Sequence, residues 1–144
     1  RSAKLFEVHT DARSRKAAVL PRAKHASLSF YEPKKMLQVT VLGRVEILDP
    51  RGAETEAAWS KLTLSTKAIY ANRIDPGTAL LEPENTTVAV DDLTTEDLSR
   101  ARANFRVLHL QADRLEALSL DGNHRRMIYD YGLAGQRRAL WIAP

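Results

Sequence analysis

At 144 residues the chain has the length of one domain able to bury a real core, and 44% hydrophobic against 28% charged residues is an ordinary globular balance. It contains no cysteine, which excludes disulfides, thiolate metal sites and a cysteine nucleophile and fits a reducing compartment. The 22 Lys+Arg outnumber the 18 Asp+Glu, and the resulting net charge of +4 suits a nucleic acid, an acidic surface or a small phosphorylated ligand without selecting one. The apolar runs are too short to span a bilayer and no signal peptide is visible, so a cytoplasmic protein that meets no membrane is expected.

The first sixteen residues say most. Lys4-Leu5-Phe6-Glu7-Val8-His9 alternates and predicts a strand over residues 3–9. Thr10-Asp11-Ala12-Arg13 turns, and Ser14 opens a helix over 14–20 with Arg15 and Lys16 in its first turn. Cations there face the positive end of the helix dipole, where acidic side chains are normally favoured. Such a start suits an anion held by backbone N–H groups and cations together, with phosphate as the best guest. A solubilising charged face would use the same residues.

Strands follow at 26–31 and 36–48, the second with Leu37, Val39 and Val41 on one face. Gly43 inside this long strand predicts a bend or bulge. Gln38 either faces solvent by alternation or hydrogen-bonds the edge of a ligand. Helices are expected at 53–62, where Ala57, Ala58 and Leu62 form a stripe beside Trp59, and at 65–71. Residues 72–92, with Pro76-Gly77 and Pro83, read as a surface loop or lid. Thr94-Thr95-Glu96-Asp97 opens a capped, correctly charged helix over 95–103.

Three more strands are expected at 105–120, 126–131 and 138–142. Before the middle one, Asp121-Gly122-Asn123 turns into His124-Arg125-Arg126. Adjacent arginines on a strand point to opposite faces, so one of the pair can line a pocket, and a charged edge that resists aggregation explains them equally well. Strands are not regularly separated by crossover helices. A mainly β (α+β) chain follows: a small antiparallel barrel of six strands with short peripheral helices. His9, His25, His109 and His124 lack metal-ligand spacing, so no metal is expected, and HExxH, GxSxG, P-loop and GxGxxG motifs are missing from the sequence. No catalytic residue can be named, and an enzyme without these devices takes its chemistry from a cofactor.

The run from His9 to Lys16 resembles the Tyr/His-Thr-x-x-x-Ser-x-Lys element of the pyridoxamine 5′-phosphate oxidase-like, FMN-binding split-barrel family. The similarity continues through Phe30-Tyr31-Glu32-Pro33, Leu37 to Val45, Ala58-Trp59-Ser60, Asp121 to Arg126 and Leu140 to Pro144. It implies an antiparallel split barrel forming a homodimer, with FMN in a groove between subunits and a small molecule as substrate. Arg15 and Lys16 would grip the FMN phosphate with help from Thr10 and Ser14, and His9 would approach the ring or ribityl chain. Gln38 would hydrogen-bond the isoalloxazine, Ser65 would reach the cofactor, and Arg126 (Arg125 one register away) would lie near the flavin. His124 and Arg125 would face the substrate.

Three departures matter. The family's first strand, with its Arg-x-Val-x-Leu-Arg/Lys pattern, is not in the sequence, so residues 1–144 are expected to form one FMN-binding domain lacking the family's N-terminal helix and first strand. Leu64 and Leu118 stand where oxidases have glutamine and tryptophan. The tyrosine, arginine and serine set for pyridoxine phosphate is not found in residues 51–61, and a buried phosphorylated substrate needs such cations. The resemblance therefore implies an FMN-dependent oxidoreductase with hydride transfer at flavin N5 and no assigned substrate. The alternative is a non-catalytic flavin carrier or sensor, which Leu64 and Leu118 favour. Nucleic-acid binding is disfavoured, because aromatic residues make up only 6% of the chain and do not interleave with the basic clusters.

Overall fold

Strand and helix starts follow from local chemistry. In the computed structural model, which describes residues 4–82, 86–131 and 138–144, the order is β1 (Leu5–Asp11), α1 (Arg15–Ala23), β2 (His25–Glu32), β3 (Leu37–Ile47), α2 (Ala53–Ser60), α3 (Leu64–Tyr70), α4 (Thr95–Asn104), β4 (Phe105–Ser119), β5 (Arg126–Asp130) and β6 (Arg138–Ile142). Two single 3-10 turns, Pro33–Lys35 and Val90–Asp92, complete the order. Of the expected features, Ala3 and Pro83 lie outside the described residues. Thr94 and Asp97 form a reciprocal capping box at α4, and the Thr63 hydroxyl caps α3. Among the described residues, no helix is long and apolar enough to cross a membrane.

The six strands form one sheet in the order β2-β3-β4-β5-β6, with β1 also paired to β4. The β2/β3, β4/β5 and β5/β6 pairs are antiparallel. The hairpin between β2 and β3 closes through Pro33–Lys35, and Met36 takes the left-handed conformation (φ 48°) that ends it.

Two expectations are corrected. The helix expected to stop at residue 20 runs on through Pro21 to Ala23. Proline's fixed φ is helical, and its cost is the bond its missing N–H would have made to the carbonyl four residues back; Lys24 (φ 56°) then ends the run. Against β2, Gly43 marks no bulge either. The β2/β3 register passes through it unbroken, from His25↔Arg44 to Glu32↔Leu37. A Cβ at Gly43 would lie 2.1 Å from the carbonyl oxygen of Gln111, so the glycine is needed where the β4 backbone approaches.

Contacts divide the chain into two compact units: the described parts of Arg1–Phe6, Ala23–Val45 and Leu110–Pro144, and a second built from Glu7–Arg22 and Glu46–His109. The first has a core of Val41, Leu110 and Ala112, with Phe6, Leu28 and Tyr131 packed around it. The second is centred on Phe105, whose ring is fully buried among Tyr70, Trp59 and His9 at centroid distances of 5.2, 5.4 and 5.0 Å.

Candidate functional site

Ser14 organises the end of β1. Its hydroxyl donates to the Asp11 carbonyl (2.7 Å) and accepts from the Ala17 N–H (3.4 Å), and its own carbonyl takes the Ala18 N–H (3.3 Å). Ser14 is therefore the N-cap of α1, with the N–H groups of Arg15 and Lys16 left without a carbonyl inside the helix. The Thr10 and Ser14 hydroxyls lie 3.2 Å apart, and both residues are buried. The first turn of α1 carries no acid.

This helix start opens on a pocket of about 440 Å³ within the second unit. His9, Thr10, Asp11, Ser14 and Lys16 form its polar side, and Ile69, Tyr70, Ile74, Pro76 and Leu80 its apolar side. Asn72, Asp75, Gly77, Thr78 and Thr86 complete the lining. The far wall is held by its own bonds: Asn72 Nδ2 donates to Thr86 Oγ1 (2.6 Å), and the Thr78 hydroxyl donates to the Asp75 carbonyl (2.8 Å). Burial, and then the charge of Asp11, raise the Tyr70 hydroxyl above its ordinary value of 10.0. Tyr70 therefore stays protonated across neutral pH. His9 is fixed by Glu7, whose Oε1 lies 3.2 Å from His9 Nε2 and whose Oε2 lies 3.5 Å from His109 Nε2. Among the described residues, no group of three or more acidic or histidine side chains is placed to hold a metal ion.

No family model matches the chain, and no curated protein matches its sequence. Solved structures do. A pyridoxamine 5′-phosphate oxidase-related, FMN-binding protein from Nostoc punctiforme superposes with a TM-score of 0.75 at 18% identity, over 100% of this chain and 75% of that one. PhzG from Burkholderia lata, in complex with tetrahydrophenazine-1-carboxylic acid, gives 0.67 at 17% identity over 96% and 68%. A Clostridium acetobutylicum protein related to general stress protein 26, of the pyridoxinephosphate oxidase family, gives 0.51 at 17% over 96% and 67%. This chain has the pyridoxamine 5′-phosphate oxidase-like split-barrel fold.

On that split barrel, the residues singled out by sequence fall in different places. His9, Thr10, Ser14 and Lys16 come together at the pocket. Arg15 is exposed on α1 and does not line it. Ser65 stands at the start of α3, its hydroxyl 2.9 Å from that of Thr63, while Ile69 and Tyr70 of the same helix supply the pocket wall. The first unit holds the others. Gln38 sits opposite Tyr31 in the β2/β3 pair. Arg126 sits opposite Leu118 and pairs with Glu116, to whose Oε1 its Nε donates at 2.6 Å. Arg125 reaches Asp121 (3.3 Å), and His124 is exposed in the preceding turn with φ 45°.

Sequence reasoning missed the far wall of the pocket and what fastens it. Asn72, Asp75 and Thr78 sit in a stretch without periodicity; Asn72 and Asp75 are fastened by Arg13, 59 and 62 positions away, and Thr78 by Asp75. The signal available was the Asp11-x-Arg13 spacing beside the Ser14 cap, which places an acid and a base where one can hold the other.

Proposed function

We propose that this protein binds FMN and is an FMN-dependent oxidoreductase acting on a small molecule, with the phosphate end of the cofactor at the start of α1. The observation that carries the reading is the make-up of the pocket. A capped helix start, the Lys16 ammonium and two buried hydroxyls stand on one side beside Asp11, and a largely apolar wall that includes Asp75 stands on the other. That polarity suits a ligand with a flat apolar body and a phosphate tail. It sits in a fold that an FMN-binding protein from Nostoc punctiforme shares.

In this reading Lys16 supplies the charge that meets the phosphate, and Arg15, one residue earlier and exposed, adds to the positive potential around the helix start. Thr10 and Ser14 fix the turn so that the free N–H groups stay aimed at one point. Tyr70 keeps its proton at neutral pH and so offers a donor rather than a charge. His9 is oriented by Glu7 and by the edge of Phe105. Bound FMN would supply hydride exchange at its N5. Gln38, Ser65 and Arg126 as cofactor contacts, His124 and Arg125 as substrate contacts, and a cytoplasmic homodimer are carried in the proposal from the sequence resemblance.

Purified protein incubated with FMN and freed of unbound flavin should stay yellow, and the retained flavin should bleach with a suitable reductant and recover on exposure to an acceptor. Protein that retains no flavin above the free level on ultrafiltration from millimolar FMN refutes the reading. A flavin carrier is the second reading, favoured by Leu64 and Leu118; bound flavin that exchanges electrons with no donor or acceptor tried selects it.

A further inference from the structure

The resemblance gives Arg13 no role, yet its side chain lies behind the second unit's pocket and bonds to three of the residues that line it, Asp11, Asn72 and Asp75. It is four-fifths buried, with 20% of the side chain exposed. Its Nε and Nη2 grip Asp11 in a fork, at 3.0 Å to Oδ1 and 2.8 Å to Oδ2, and its backbone N–H adds a third bond to Oδ1 at 2.8 Å. Its Nη1 reaches the other way, to the Asn72 carbonyl (2.9 Å) and Asp75 Oδ1 (3.1 Å). One guanidinium thus ties the β1–α1 turn to the wall made by residues 72–78.

Both carboxylates it holds, Asp11 and Asp75, line the pocket with Lys16 and Thr10. This is a difficulty for any anion. Lys16 alone against two acids leaves the pocket lining negative, and Asp11, whose side chain is 10% exposed, is the acid that would repel an anion most. Arg13 brings the local charge to balance and turns the acid oxygens toward itself. Burial first, and then the charge of Asp11, raise the Tyr70 hydroxyl on the pocket wall. A lysine could balance the charge, but its ammonium cannot make the planar fork and the loop contacts together.

We propose that Arg13 is a positioning residue that lets this pocket accept a phosphate ester, by pinning the 72–78 wall and by holding the carboxylates of Asp11 and Asp75 away from the ligand. The inference rests on the phosphate-site reading given under Proposed function. It goes further by identifying what makes the site electrically tolerant.

The test is FMN titration by flavin fluorescence, together with backbone hydrogen exchange of residues 72–78 in ligand-free protein. R13Q should weaken FMN roughly tenfold or more, the scale of losing a charge-assisted contact, and should speed exchange in the loop. Adding D11N to R13Q should recover most of the lost affinity while the loop stays fast, an outcome that a purely structural role would not give. R13K, which keeps the charge should R13Q not fold, is expected to lose less affinity than R13Q but to show the fast loop. R13Q that binds FMN as wild type does, R13K with wild-type loop exchange, or D11N that restores nothing in R13Q each overturns the inference while leaving the pocket reading intact. Wild-type protein that does not bind FMN overturns both.

Discussion

Gly43→Ala is the sharpest test of the fold. In the first unit, a Cβ built on Gly43 meets the Gln111 carbonyl oxygen at 2.1 Å, its carbon at 2.7 Å and the Ala112 Cα at 2.9 Å. All three are backbone atoms of β4, so no side chain can swing away. Gly43 is itself locked into β3 opposite Ala26, one strand in from the sheet edge. Relief therefore requires one strand to move by about an ångström, at the expense of packing around Val41, Leu110 and Ala112. Overpacking of this kind costs about 1–3 kcal/mol, and the upper end is expected because the obstruction is main chain. For a chain of this length each kcal/mol lowers the melting temperature by roughly 3–4 °C, so a drop of about 10 °C is predicted. Urea denaturation and thermal melting of G43A against wild type measure it directly. A melting temperature unchanged to within about 1 °C would refute the close-approach account and return Gly43 to the role of a flexible bend.

Phe105→Ala should remove about 3–5 kcal/mol of stability, because the ring is fully buried and ringed by His9, Trp59 and Tyr70; urea unfolding checks this, and FMN affinity should fall with it as His9 and Tyr70 lose their support. Thr94→Ala removes the hydroxyl of the α4 capping box and should cost about 1 kcal/mol by the same measurement. Acid stability should depend on Asp97, whose carboxyl is held below its ordinary 3.8 first by the Thr94 hydroxyl and then by the Thr94 N–H. With the folded value depressed, the contribution is complete above pH 3.8 and disappears as pH falls through the lowered value, so Asp97→Asn should flatten the loss of stability on the acid side of pH 4. An unaltered acid limb in D97N would contradict that cause.

Much of the architecture could be read from the sequence because period-two alternation and cap residues are local signals. Leu37, Val39 and Val41 marked β3, and Thr94 with Asp97 marked the start of α4. The Ser14 cap and the lysine two positions on were legible for the same reason. What could not be read depends on contacts between distant segments. Gly43 looks like a bend until the β4 backbone is seen beside it. Pro21 looks like a helix stop, although proline's φ is compatible with another turn. Arg13, Arg15 and Lys16 are equivalent as letters, but the fold separates them: Arg13 tethers a loop, and of the two exposed cations that follow, Lys16 lines the pocket and Arg15 does not. Arg126 could be placed near a flavin by resemblance, but its pairing with Glu116 across the β4/β5 pair was invisible without the register.

The phosphate-tail account is tested most directly by comparing FMN with riboflavin, which differs by the phosphate alone. Wild-type protein should bind FMN roughly 10–100-fold more tightly, the scale of one charge-assisted hydrogen-bond set, and Lys16→Gln should close most of that gap while leaving riboflavin affinity unchanged. Equal affinities for FMN and riboflavin in the wild type, or a gap that survives in K16Q, would contradict the assignment of the α1 start as the phosphate site.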